Sequence, residues 1–105
     1  MSKINFADEH DNRIEFYFEH NLSANERCLW DVLLYLAYKR ATGIEWPDSF
    51  YVPNKLLLGS MPFEGMDTLE RVRKSLVNKG LITYKNEENV KSSPIYTLHY
   101  LTKEK

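Results

Sequence analysis

The sequence of 105 residues has little cysteine, glycine or proline, and each scarcity excludes a class of protein. A single cysteine, Cys28, excludes an internal disulfide and a cysteine-based zinc site, which needs several thiolates at set spacings. Four glycines and four prolines exclude collagen-like and low-complexity chains. The longest apolar run, 29–38, is interrupted by Asp31 and is too short to span a bilayer. We therefore expect a soluble, cytoplasmic chain with no membrane partner, since an unpaired thiol fits a reducing compartment.

Motifs for catalysis and for cofactor binding are also missing. The sequence has no glycine-rich phosphate loop, no paired catalytic carboxylates and no nucleophile elbow. The histidines His10, His20 and His99 are scattered, and no two of them have metal-ligand spacing. Cys28 has no evident base beside it and is expected to be a small buried hydrophobe. The sequence predicts no enzyme, no cofactor and no metal site.

The first twenty residues are predicted to form an acidic and aromatic arm, 1–20, ahead of one domain over 21–102. The arm holds five acidic residues. Apolar residues alternate with others from Ile14 to Phe18, a period of two that is typical of an extended arm or short strand, with a short helix as the alternative. Phe16 and Phe18 are expected to pack back on the domain, and Tyr17 is left open.

A capping box marks the first helix of the domain. The Ser23 hydroxyl can accept a hydrogen bond from the Glu26 N–H, while the Glu26 carboxylate can accept one from the Ser23 N–H. The helix is predicted from Ala24 to about Thr42, with Gly43 available as a left-handed cap. Apolar residues cover so much of its circumference that the helix is either central or part of a subunit contact.

The next stretch is predicted to hold only short elements, because turn-forming residues recur in it. These elements are a loop over 44–50, a strand over 50–52, a helix over 54–58 and a turn over 59–65. A third helix then starts between Gly65 and Asp67 and ends at Gly80. Its core-facing stripe consists of three apolar residues at helical spacing: Leu69, Val72 and Leu76. Asp67 and Glu70 have the spacing of a second capping box.

After Gly80 the apolar period changes from 3.6 to 2, which predicts two strands, 81–85 and 95–101, joined by a long polar loop over 86–94. The predicted order is helix, short strand, helix, turn, helix and hairpin. This is an α+β, mainly helical arrangement: a winged helix-turn-helix with three helices and a C-terminal β-hairpin as the wing. In such a fold the third helix enters a major groove of DNA.

Several stretches between residues 16 and 101 have a familiar order and spacing. They are FEHNLSAN (18–25), LW (29–30), LLYLA (33–37), WP (46–47), FYVPN (50–54), LL (57–58), TLERVRK (68–74), L (76), KGLI (79–82) and PIYTL (94–98). Together they resemble the phage replisome organiser proteins, a family related to the DnaD-type primosome proteins. The resemblance implies a winged-helix domain that recognises a replication origin. It also implies that a region outside this chain recruits helicase-loading proteins. Met66 and Asp67 depart from the family pattern, which has Arg and a small hydroxyl residue there.

Seven side chains are candidates for contact with double-stranded DNA. Arg71, Lys74 and Asn78 lie on the helix face opposite the core stripe. Arg can bond guanine, Asn can pair with adenine, and Lys can contact phosphate or guanine. The other candidates lie on the second helix, at the end of the third and beside the predicted wing: Lys55, Lys79, Lys85 and Lys91. Arg73 lies at the core edge and is expected to pair with Glu70 or with a strand residue.

The formal net charge of −1 combines two unlike parts. Residues 1–65 carry net −4 and residues 66–105 carry net +3. The positive part is the predicted recognition helix and hairpin, so DNA binding is confined to one end of the molecule. The alternative is a protein-interaction or oligomerisation module, or a transcription regulator, without strong DNA binding of its own. A symmetric homodimer would read paired half-sites.

Overall fold

Four helices and five strands make up the part of the chain that the computed structural model describes, residues 2–60, 65–87 and 90–102. In chain order they are β1 (Ser2–Lys3), α1 (Phe6–Glu19), α2 (Ala24–Arg40), β2 (Glu45–Trp46), β3 (Ser49–Tyr51), α3 (Asn54–Ser60), α4 (Met66–Asn78), β4 (Ile82–Glu87) and β5 (Val90–Leu98). The predicted α+β, mainly helical class is therefore confirmed.

The main sheet is antiparallel, with strand order β3-β5-β4. Tyr96 lies at its centre, opposite Tyr84 on one side and Phe50 on the other. Tyr96, Phe50 and Ile82 are buried, so one face of the sheet closes the core. The strands β1 and β2 pair separately as a short two-stranded sheet.

The core forms where α2 and α4 meet the sheet. The α2 residues Leu29, Leu33 and Ala37 are fully buried, as are Leu69 and Leu76 of α4. This arrangement follows from the predicted stripes, because apolar residues at helical spacing fall on one side of each helix. Burial of these side chains fixes α4 between α2 and the sheet.

The extended interpretation of the N-terminal segment is wrong, because Phe6–Glu19 is a helix. Asn5 caps it by accepting a hydrogen bond from the Asp8 N–H at 3.1 Å. Phe16 packs against Trp30 with ring centroids 5.4 Å apart, as expected, whereas Phe18 is 86% exposed. The chain thus has four helices in its described part, instead of the predicted three.

The predicted starts of the other helices agree with the structure to within a residue or two. Both hydrogen bonds of the Ser23–Glu26 capping box are present, at 3.0 and 3.1 Å. The second capping box is wrong: α4 has Gly65 at its N-cap, with φ of 87° and no side-chain hydrogen bond. Asp67 therefore lies one residue inside the helix, where it cannot occupy the capping position.

The prediction of a long polar loop over 86–94 is also wrong over most of that range. The strand β4 continues to Glu87, and β5 begins at Val90, with residues 88–89 outside the described part. The register shifts between Lys85 and Glu87, an irregularity that accommodates Pro94 within β5. The Pro94 carbonyl accepts a hydrogen bond from the Val52 N–H at 3.1 Å.

Candidate nucleic-acid interface

The outer face of α4 presents the three predicted base-contacting residues to solvent. Arg71, Lys74 and Asn78 are all exposed, and Asp67 lies exposed in the first turn of the same helix. Leu69 and Leu76 are fully buried on the opposite face. The sequence therefore predicted correctly which face of α4 is exposed, because the apolar stripe determines which side of the helix is buried.

Arg73, by contrast, is buried and holds α4 in place. Its Nη1 donates to Asn54 Oδ1 at 2.9 Å and to the Tyr96 hydroxyl at 3.0 Å. Its guanidinium carbon lies 4.6 Å from the centre of the Tyr84 ring, and its Nη2 lies 3.8 Å from a Glu70 carboxylate oxygen. The expectation that Arg73 pairs with Glu70 or a strand residue is confirmed on both counts.

The ammonium of Lys79 is engaged within the chain. Its Nζ lies 2.8 Å from Glu26 Oε2 and 3.0 Å from the Ser75 hydroxyl. Ser75 also donates to Glu26 Oε2 at 2.8 Å. This cluster joins the start of α2 to the end of α4. Contact between Lys79 and DNA stays a prediction, and it would compete with this ion pair.

The remaining candidates lie on two other elements. Lys55 is exposed on α3, and Lys85 is exposed on β4 opposite Ile95. Lys91 belongs to β5, but its side chain lies outside the described part of the structure. The segment 61–64, which joins α3 to α4, lies outside it as well.

A polar groove of about 210 Å³ between the first turn of α2 and the flank of α4 was not predicted. It is lined by Ser23, Asn25, Glu26, Thr68, Arg71, Val72 and Ser75. Arg71 Nη2 lies 3.4 Å from the Thr68 hydroxyl, which orients the guanidinium along this groove. The capping box located the start of α2, but only the packing of two distant segments brings Asn25 beside Arg71.

Glu26 has a strongly lowered pKa, which makes the contact between α2 and α4 sensitive to acid. Burial alone would raise the pKa of this carboxyl group. The hydrogen bonds from Lys79, from the Ser23 backbone and from Ser75 outweigh burial and hold the pKa at about 2, against an ordinary 4.5. The carboxylate is thus stabilised in its charged form by the folded chain.

We expect this carboxylate to make a contribution to the free energy of unfolding that is lost in acid. Because its pKa is lower in the folded state, its contribution is complete above pH ~5 and is lost as the pH falls towards ~2. The contribution is at most about 3 kcal/mol. Urea unfolding followed by circular dichroism across this range should show a shallower acid limb for Glu26→Gln than for the parent chain. Identical acid limbs would contradict the assignment.

No family model, curated protein or solved structure matches this chain. The resemblance to replisome organisers therefore stays a prediction from the sequence. Across residues 2–60, 65–87 and 90–102, no group of three histidine, cysteine or acidic side chains is placed to hold a metal ion. None of the helices described there is long and apolar enough to cross a membrane.

Proposed function

We propose that this chain is a double-stranded DNA-binding domain of a phage-type replication initiator, with α4 as its recognition helix. The observation that carries the proposal is the exposure of Arg71 and Lys74 on a helix whose opposite face is buried in the core. A rigidly held helix with an exposed basic face suits the major groove, which is wide enough to admit an α-helix.

The order of elements supports a winged helix-turn-helix arrangement. After α2 and β3, the helices α3 and α4 follow one another, and the β4–β5 hairpin comes next. In such folds the second helix of the pair reads the major groove, and neighbouring elements contact the backbone. In this interpretation α1 is an addition in front of the domain, and Lys55 and Lys85 are backbone contacts.

The chemistry proposed for α4 combines base recognition with phosphate contact. Arg71 can bond guanine through two donors, Asn78 can pair with adenine, and Lys74 can contact a phosphate or guanine. Arg73 takes no part, because it is buried and its Nη1 bonds Asn54 and Tyr96. Because α4 exposes only Arg71 and Lys74 as candidate cations on this face, we expect weak affinity with a shallow salt dependence, since the slope grows with the number of phosphates neutralised.

Replacing Arg71 and Lys74 together by alanine is expected to weaken duplex binding by about tenfold or more, since one good base contact contributes about 1–3 kcal/mol. The salt dependence should also become less steep by about one for each phosphate that is no longer neutralised. Selection of bound fragments from a random-sequence duplex pool first identifies the preferred sequence. Fluorescence anisotropy with that duplex at low ionic strength then measures both quantities.

Lys39→Ala is a single-charge control, because Lys39 is exposed at the end of α2 and is not one of the proposed contacts. It removes a positive charge of the same kind and should change affinity far less. The proposal fails if the parent chain shows no salt-dependent duplex binding. It also fails if Lys39→Ala weakens binding as much as the loss of Arg71 and Lys74.

A second candidate, a protein-interaction module, is favoured by a different observation. Four large apolar side chains stand exposed around one groove of α1 and α2: Phe6, Ile14, Tyr35 and Tyr38. Such a module would bind its partner whether or not Arg71 and Lys74 are present. The two functions are compatible in one chain because they use different helix faces.

A further inference from the structure

A half-open groove of about 460 Å³ lies between α1 and α2, and we call it the α1–α2 groove. It is lined by Phe6, His10, Arg13, Ile14, Tyr17, Asp31, Leu34, Tyr35 and Tyr38. The two helices run antiparallel here. The Phe6 and Tyr38 rings meet at one end with centroids 5.3 Å apart, and Tyr17 donates to Asp31 Oδ1 at 2.9 Å near the other.

The walls of the α1–α2 groove are apolar and open to solvent. Phe6, Ile14, Tyr35 and Tyr38 are each between 37% and 56% exposed. Scattered exposed apolar residues are ordinary, but a contiguous set around one concave surface marks a binding site. The volume of the groove lies within the range of surfaces that receive a ligand or a partner side chain.

The floor of the groove holds a buried cation and an accessible carboxylate. Arg13 is 2% exposed, and its Nη1 donates to the Trp30 carbonyl at 3.2 Å. Its Nε lies 3.6 Å from buried Glu9, and its Nη1 lies 3.5 Å from Asp31. Two carboxylates therefore surround one guanidinium, and the side chain of Asp31 stays 60% exposed. Asp31 is therefore the exposed carboxylate that lines the groove, while the Arg27 guanidinium carbon lies 4.4 Å from the centre of the Tyr17 ring at one end.

The acidic character extends along the outside of α1. The helix carries five carboxylates, with Arg13 as its one basic residue. Asp11 and Glu15 are exposed on its outer side, next to the rim formed by Ile14. The long side chains of lysine and arginine can reach such carboxylates while their stems cover apolar surface. The exposed tyrosine rings also favour cations placed over their faces.

We propose that the α1–α2 groove docks a basic, amphipathic helix of a partner protein. From Phe6 to Tyr17 the wall of the groove is about 17 Å long, which matches about three turns of helix. The apolar side of such a helix would lie on Phe6, Ile14 and the two tyrosines of α2. Its lysines and arginines pair with Asp31 inside the groove and with the carboxylates along α1.

Charge distinguishes this occupant from the two obvious competitors. Double-stranded DNA is repelled by the carboxylates of α1 and by Asp31. A second copy in a symmetric contact would bring its own acidic α1 against the same surface, since both partners use the same patch. A basic partner helix meets neither repulsion.

The groove lies on a different face of α2 from the contact between α2 and α4. Glu26 contacts α4 through Ser75 and Lys79. Asp31, Tyr35 and Tyr38 lie about 120–180° around α2 from Glu26, at the helical turn of about 100° per residue. A helix in the groove therefore leaves Arg71 and Lys74 uncovered. The inference does not rest on the proposed DNA binding, and it names the partner class for the second candidate function.

Three synthetic peptides of about 18 residues test the proposal with the full chain. The first is a helix former with leucine on one face and lysine and arginine on the others. The second has the same composition in scrambled order, and the third has glutamate in place of the cations. We expect the first to bind at least about tenfold more tightly than the others in fluorescence anisotropy. Amide resonances of α1 and α2 should shift on binding, and those of α4 should stay in place.

Two variants and a control identify the site. Tyr35→Ser should weaken binding of the first peptide at least about fivefold. The control Tyr51→Ser removes an equally exposed tyrosine from β3 and should leave that binding unchanged. The charge-reversed variant with Asp11→Lys and Glu15→Lys should bind the basic peptide more weakly and the acidic peptide more tightly. Equal binding of the scrambled peptide, or resonance shifts confined to α4, would overturn the proposal. Self-association of the parent chain that Tyr35→Ser abolishes would also overturn the proposal, because the occupant of the groove would then be a second copy of this chain.

Discussion

Replacing Glu9 by alanine is expected to lower the free energy of unfolding by about 3–5 kcal/mol, because it leaves a buried guanidinium short of its main counter-charge. The Glu9 side chain is fully buried. Its oxygens accept hydrogen bonds from the Leu101 and Thr102 N–H groups at 3.0 and 2.8 Å. The carboxylate therefore joins α1 to the segment after β5, more than ninety residues away in the chain.

Most of the expected loss in the free energy of unfolding arises at Arg13. Burial lowers the pKa of Arg13, and the charges of Glu9 and Asp31 oppose that effect. Its guanidinium lies 3.8 Å from the centre of the Trp30 ring, so Arg13 fills a packed position between α1 and α2. Without Glu9 the cation keeps only the exposed Asp31 as a charged neighbour among the described residues. Ion pairs of this kind contribute little net stability when both partners are present, but removing one partner is costly.

Urea unfolding near neutral pH separates the contributions. Glu9→Gln should give an intermediate loss, because the amide oxygen still accepts a hydrogen bond but the charge is gone. Combining Glu9→Ala with Arg13→Met should recover part of the stability, because no unpaired buried charge remains. Glu15→Ala, at an exposed position on the same helix, should stay within about 0.5 kcal/mol of the parent chain. A loss from Glu9→Ala no larger than that of Glu15→Ala would contradict this account.

The same pair explains why the sequence favoured an extended arm at α1 and left a short helix only as the alternative. Its two fully buried residues are charged, Glu9 and Arg13, which a search for apolar periodicity counts as exposed. The apolar residues that suggested a strand do not form one face: Phe16 packs on Trp30, whereas Phe18 is almost fully exposed. The pair itself has the local i,i+4 spacing of a helix, but its burial depends on distant backbone groups of Trp30, Leu101 and Thr102, which no local pattern indicates.

The helices α2 and α4 were predictable because their signals are local. The capping box of Ser23 and Glu26 lies within four residues, and the stripe of α4 within eight. The exposure of Arg71, Lys74 and Asn78 follows from that stripe alone. The partners of Lys79 and Arg73 do not, since Glu26 is 53 residues from Lys79 and Tyr96 is 23 residues from Arg73. Which cations of α4 remain free is therefore decided by tertiary packing.

Replacing Arg73 by methionine is expected to destabilise the chain by about 2–4 kcal/mol through loss of hydrogen bonds. Methionine keeps most of the side-chain volume, so the destabilisation reports mainly on the polar interactions. The Tyr96 hydroxyl lies on a fully buried residue, and burial raises its pKa while Arg73 opposes that rise. Without the guanidinium, this hydroxyl and Asn54 Oδ1 lose a charged donor, and each unsatisfied group costs about 1–3 kcal/mol.

Arg71→Met is the matched control for Arg73→Met, since the two residues differ by two positions on α4 and only Arg71 is exposed. Arg71→Met should change the free energy of unfolding by no more than about 0.5 kcal/mol, yet weaken duplex binding. A double-mutant cycle with Tyr96→Phe should give a coupling energy of about 1–2 kcal/mol between Arg73 and the hydroxyl. If the two methionine variants unfold at the same urea concentration, the buried network does not hold α4. The position of the proposed recognition helix would then depend on the apolar stripe alone.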